Sequence, residues 1–300
     1  MAARQMRWML IFELSNYLLL GLWLQSSGWS ATQVLGLCIA VFLGLRAYIV
    51  LLSYGFLATG SSPVPQHLQV GTAGMLRMMW EEYIGLFFLF VIIMPYEAYW
   101  MGRDRLVRTS SSRPPLLLIH GYQCNRGFWY WLRPHLESAG WTVATHSLEP
   151  VLADIDSYAV GVEKRIDEVL AETGATQVIL VGHSMGGLVS RAYLRCYGAT
   201  KVARMISLGS PHHGSRLAVL GWGPNGKQMR MGNPWLRALE SVTLPPGSVS
   251  IYSVHDNQVV PQRQCSELPG IRNVAIGGVS HLGMAFSPMV LRTLLDELER

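Results

Sequence analysis

The stretch Gln177-Val178-Ile179-Leu180-Val181-Gly182-His183-Ser184-Met185-Gly186-Gly187 decides the fold. It opens as an apolar run of strand length, closes in Gly-x-Ser-x-Gly, and runs straight into the helix-compatible Leu188-Val189-Ser190-Arg191-Ala192-Tyr193-Leu194. A strand that turns sharply into a helix at a serine forces that serine into a strained backbone conformation and lifts its hydroxyl above the sheet. Gly182 and Gly186 stand where a Cβ would crowd the turn. The first N–H groups of the new helix favour negative charge developing beside them. Ser184 is therefore the candidate nucleophile. The flanking strand and helix carry the signal, because a glycine-rich chain produces the five-residue pattern by chance.

Outward from this turn, strand-like and helix-like segments alternate. Strand-like segments are Leu116-Leu117-Leu118-Ile119, Trp141-Thr142-Val143-Ala144-Thr145, Arg204-Met205-Ile206-Ser207-Leu208, Val249-Ser250-Ile251-Tyr252-Ser253-Val254 and Ile271-Arg272-Asn273-Val274-Ala275-Ile276. Helices are expected around residues 128–139, and where Val162, Ile166, Val169 and Leu170 share a face. A last helix should begin at Ser287 as cap and Pro288 as first residue, with Leu291, Leu294, Leu295 and Leu298 on one side. Such alternation predicts an α/β fold: a mostly parallel sheet with helices on both faces and reactive groups at the carboxyl ends of its strands. This catalytic domain spans residues 116–300. Residues 109–115, polar and closed by Pro114-Pro115, read as the linker before it.

Four strand ends carry chemistry. After the Leu116 strand, His120-Gly121-Tyr122-Gln123 offers the Tyr122 N–H, which with the Met185 N–H can form an oxyanion hole. His120 itself reads better as a brace for that loop than as a catalytic group. The second strand end is the serine turn. Asp256 follows the Ile251 strand and can orient an imidazole. His281, on a glycine- and serine-flanked loop past the Ile271 strand, suits a general base. Asp154 and Asp156 are rival acids better suited to a helix cap or a solvated loop, and His212, His213 and His255 are rival bases.

These residues, with Leu208-Gly209-Ser210-Pro211-His212-His213-Gly214, resemble the α/β-hydrolase lipases and esterases, especially compact bacterial triacylglycerol lipases. The order Ser184, Asp256, His281 is the nucleophile–acid–base order of that superfamily. The resemblance covers roughly residues 113–300. It implies a lid and acyl pocket in the insertion at 215–247, where Trp222, Met231 and Trp235 would meet substrate, and it makes His213 a pocket wall or a structural turn. Several such lipases hold calcium through an aspartate shortly after the catalytic histidine. Here Gly283 and Met284 follow His281, so no metal site is carried over, and no cofactor is expected.

The first 108 residues lie outside the resemblance. Three apolar runs, at 8–24, 34–57 and 83–100, each come near the length that crosses a bilayer, and Trp8, Trp23, Trp29, Trp80, Tyr96, Tyr99 and Trp100 cluster at their ends. Two or three transmembrane helices are expected, with residues 68–80 along the membrane surface. A signal peptide behind Arg4 and Arg7 and buried core helices are the competing readings. Glu13 and Arg46 are costly in lipid and should face other helices, or each other. Half the chain is hydrophobic and only 14% charged, well under the usual ~25% of soluble proteins. The net charge of +5 is scattered, so nucleic acid is excluded as a partner and anionic lipid favoured. Cys38, Cys124, Cys196 and Cys265 have no metal-binding spacing.

The expected protein is an integral membrane protein, placed in a bacterial inner membrane, that hydrolyses acyl esters through a Ser-His-Asp triad. The positive-inside rule leaves its sidedness open, because Arg4 and Arg7 pull against Arg103, Arg105, Arg108 and Arg113. Oligomeric state has no signature in the chain. An acyltransferase or thioesterase using the same triad, or an inactive hydrolase-fold scaffold, are the alternatives.

Overall fold

The computed structural model describes residues 1–108 and 113–300, so linker positions 109–112 lie outside the described residues. The chain begins with helix α1 (Ala2–Ser26) and helix α2 (Ala31–Gly60). Ser30 and Gln33 close a reciprocal capping box at the start of α2. Helix α3 (Thr72–Phe87) continues through a π-turn, a 3-10 turn and the short helix α4 (Glu97–Met101). The third apolar run is thus not a separate helix beyond a surface segment at 68–80. Glu81 and Glu82 between them are good helix formers, and nothing breaks the chain there.

The rest alternates as expected: β1 (Leu116–Ile119), α5 (Leu132–Ser138), β2 (Val143–His146), α6 (Ile155–Thr173), β3 (Val178–His183), α7 (Met185–Tyr197) and β4 (Val202–Leu208). An excursion follows with α8 (Gly223–Gln228) and α9 (Pro234–Ala238), and then β5 (Val249–Ser253), α10 (Gln262–Ser266), β6 (Arg272–Ile276) and α11 (Pro288–Leu298). The six strands pair in parallel in the order β2-β1-β3-β4-β5-β6. Helix α6 is capped by Asp154 and ended by Gly174 at φ 76°, and Ser287 caps α11 through the Val290 N–H.

The sheet is buried on both faces. Leu116 and Leu118 point into one core with Phe128, Trp129 and α11, while Leu117 and Ile119 point into the other with α6 and α7. Each such side chain, fully removed from water, contributes roughly 1.5–3 kcal/mol. The first core also takes in Leu89, Ile93 and Met94 from the third apolar run. That run therefore packs one face against the catalytic sheet's own core.

Two helical stretches, Ala31–Gly60 and Thr72–Met101, are long and apolar enough to cross a membrane, with mean hydropathy 2.4 and 1.7. Between α1 and α2 the guanidinium of Arg46 and the carboxylate of Glu13 form a two-pronged pair, both contacts at 2.6 Å. The expectation that these charges find each other holds, since a planar guanidinium matches a carboxylate fork for fork.

Candidate active site

The turn at Ser184 has the strain its sequence implies. Ser184 sits at φ 54°, ψ −124°, and with Gln123 it is one of two non-glycine residues at positive φ among the described residues. A Cβ on Gly182 would lie 2.5 Å from the Gly186 carbonyl carbon, and one on Gly186 would lie 2.2 Å from the Ile119 oxygen. Only glycine fits either position. The β1 loop presses on the turn from the side, where a Cβ on Gly121 would come within 2.8 Å of Ser184 Cβ.

Asp256 stands at the carboxyl end of β5, 1% exposed. Its Oδ1 accepts the N–H groups of Gln258 and Val259, each at 2.8 Å, and its Oδ2 lies 2.8 Å from His281 Nδ1. Held by three hydrogen bonds, the carboxylate keeps one orientation and fixes the Nδ1-H tautomer of His281. Burial alone would depress the His281 imidazole; the charge and hydrogen bond of Asp256, with Glu82 further off, outweigh it and raise the group above its ordinary value.

The His281 ring lies 4.7 Å from the ring of His183, the residue before Ser184. His183 is itself stacked on Phe128 at 4.0 Å. Among the described residues neither Ser184 Oγ nor His281 Nε2 has a partner within the protein, and neither is among the polar atoms sealed from solvent.

The rival groups are engaged elsewhere. His120 Nε2 accepts the Leu148 N–H at 2.9 Å while its Nδ1 meets the Gly121 oxygen at 2.9 Å, which makes it the loop's brace. Burial pushes it down to about 4, so it stays neutral. His255 Nδ1 accepts the Gly278 N–H, and His212 Nε2 meets Ser207 Oγ. Asp154 caps α6, and Asp156 takes Arg195 and the indole N–H of Trp235.

Among the described residues neither the Tyr122 N–H nor the Met185 N–H donates within the protein. The Tyr122 hydroxyl reaches across to the main chain of Trp222. In the excursion at 215–247, the Trp222 and Met231 side chains are exposed, 76% and 47%, together with Val219 and Leu220. Trp235 faces the other way, onto Asp156 and the Arg195 guanidinium. His213 braces α10, its Nε2 at 3.0 Å from the Glu267 oxygen and its N–H on the Cys265 oxygen. Trp222 is thus held through its main chain by Tyr122, whereas Trp235 and His213 make their contacts elsewhere.

Sequence reasoning missed a buried polar group behind the His281 loop: Glu82 of α3, Ser53 of α2 and Asn257. The one available signal was an acidic residue at the edge of an apolar run, which more often marks a solvated face.

Residues 114–229 match the family described as alpha/beta hydrolase fold. Triacylglycerol lipases of Pseudarthrobacter phenanthrenivorans and Burkholderia plantarii are each 35% identical over 117 residues, 36% of this chain. The matched segment spans 36% and 32% of those relatives, about a third of their length. Among solved structures, the mature form of a Bacillus licheniformis lipase aligns with TM-score 0.57 at 19% identity, covering 65% of this chain and 96% of that one. Aspergillus fumigatus lipase B aligns with TM-score 0.55 at 20% identity, covering 64% and 53%. Parallel sheet, serine turn and these likenesses define the α/β-hydrolase fold. Within that fold the chain resembles the lipases and esterases.

Proposed function

We propose that this protein is a membrane-anchored serine hydrolase that cleaves carboxylic esters of acyl lipids. The observation that carries the reading is the Asp256–His281 pair at 2.8 Å, with the His281 ring 4.7 Å from that of His183, the residue before the strained Ser184. His281 Nε2 takes the Ser184 proton as Oγ attacks the ester carbonyl. Asp256 holds the imidazole and stabilises the imidazolium, while the N–H groups of Tyr122 and Met185 receive the oxyanion. The imidazolium then gives its proton to the leaving alcohol. Water, deprotonated by His281, releases the acid and restores Ser184.

The lipid substrate class is supported by the triacylglycerol lipase names of the relatives and by the exposed apolar side chains of Val219, Leu220, Trp222 and Met231 in the excursion after β4. Membrane anchoring is supported by the outward Trp, Leu and Phe side chains of α1 and α2. In this reading α2 supplies the membrane segment with α1 paired to it through Glu13 and Arg46, and α3 lies along the catalytic domain. The anchor raises the local concentration of lipid esters without altering the chemistry.

A fluorophosphonate probe should label the full-length protein at Ser184, and Ser184→Ala should lower ester turnover about 10⁶-fold with the fold intact. Near-normal hydrolysis by Ser184→Ala refutes the assignment.

A further inference from the structure

Glu82 is 1% exposed, and its partners among the described residues are all neutral donors. Oε1 accepts from the side-chain amides of Asn257, at 3.0 Å, and Gln258, at 2.9 Å. Oε2 accepts the Leu282 N–H at 2.8 Å. Asn257 spans the rest of the gap: its Oδ1 accepts the His281 N–H at 3.0 Å, and its Nδ2 also reaches Ser53 Oγ on α2 at 2.8 Å. One carboxylate on an N-terminal helix therefore grips both loops of the acid–base pair, at 256–258 and at 281–282. One turn further along α3, Gly85 packs on Leu282, where a Cβ would stand 3.5 Å from Leu282 Cβ.

A carboxylate is buried at high cost unless hydrogen bonds satisfy it, and here those bonds come from the segments that must hold Asp256 and His281 in register. We infer that Glu82 is a positioning residue for the acyl-transfer site, so that helices α2 and α3 complete the site. The inference rests on the reading of Ser184 as nucleophile. It has an electrostatic side too. The charged and titratable groups facing His281 are Asp256, Glu82 and the His183 ring; those around Glu82 are the Tyr54 hydroxyl and, next along the helix, Glu81. A fixed negative charge behind the imidazole favours its protonated form.

The test uses the full-length protein in detergent or nanodiscs, with active sites counted by end-point fluorophosphonate labelling. Glu82→Gln keeps the shape and removes the charge. It should lower kcat per labelled site about 10–100-fold on a soluble ester, as small misplacements of catalytic groups do. It should leave KM within about twofold and move the acidic limb of kcat/KM to lower pH. Glu82→Asp keeps the charge but is one methylene short, so kcat should fall with the limb unmoved. A lower Tm with unchanged kcat and unchanged limb in Glu82→Gln overturns the inference. If Glu82→Gln yields no labelled protein, Glu82→Asp and Ser53→Ala decide, and wild-type kcat in both overturns it. Wild-type protein that fails to label at Ser184 overturns the hydrolase reading and this inference with it, whereas loss confined to the Glu82 variants supports the inference.

Discussion

Tyr122 and Trp222 are separated by 100 positions, yet the phenol of the first clasps the main chain of the second, accepting its N–H at 2.8 Å and donating to its carbonyl at 2.8 Å. Tyr122 thereby joins two tasks. Its N–H is the proposed oxyanion donor, and its side chain pins the exposed apolar segment around Trp222.

Removing the hydroxyl separates those tasks. Tyr122→Phe keeps the ring and the N–H while freeing Trp222. At this exposed site, losing the bonds to Trp222 and the weaker one from Gln123 should cost about 1 kcal/mol of stability. KM for long-chain esters should rise several-fold, about 3–10, with kcat nearly unchanged, because binding rather than the chemical step is touched. Steady-state kinetics on short and long p-nitrophenyl esters give the measurement. Equal effects on both chain lengths would argue against a lipid-facing role for this segment.

The raised His281 imidazole sets the pH behaviour. The base must be neutral to accept the serine proton, so kcat/KM should fall as pH drops through a value above the ordinary 6.5. Asp256→Asn removes the main stabiliser of the imidazolium. Its limb should move to lower pH while kcat falls about 10⁴-fold. A wild-type limb at or below the ordinary histidine value contradicts the arrangement.

Glu13 and Arg46 offer a test of the helical hairpin. Arg46→Leu leaves a carboxylate without its partner, which for a buried pair costs about 3–5 kcal/mol. At this partly exposed pair the cost is smaller, and the yield of monodisperse protein in mild detergent should still drop clearly. Glu13→Leu with Arg46→Leu should recover most of it, since two apolar residues suit a lipid-facing pair of helices. A double variant no better than the single one would place that pair in a polar setting and remove this support for anchoring.

The sequence by itself determined what is local: six strands, the serine turn, and the caps of α6 and α11. Backbone sterics at Gly182 and Gly186 and hydrogen bonding at Asp154 and Ser287 act within a few residues, so their signatures survive in the linear text. The partnership of Glu13 with Arg46 was legible too, because lipid leaves a buried charge few alternatives. Tertiary structure alone decided where the third apolar run goes and what Glu82 meets. Leu89, Ile93 and Met94 would look the same facing lipid or facing Phe128 and Trp129, since apolar burial has no direction. The bond from Glu82 to the Leu282 N–H joins positions 200 apart. Its donor is a main-chain group common to nearly every residue, and only the folded chain brings it to that carboxylate.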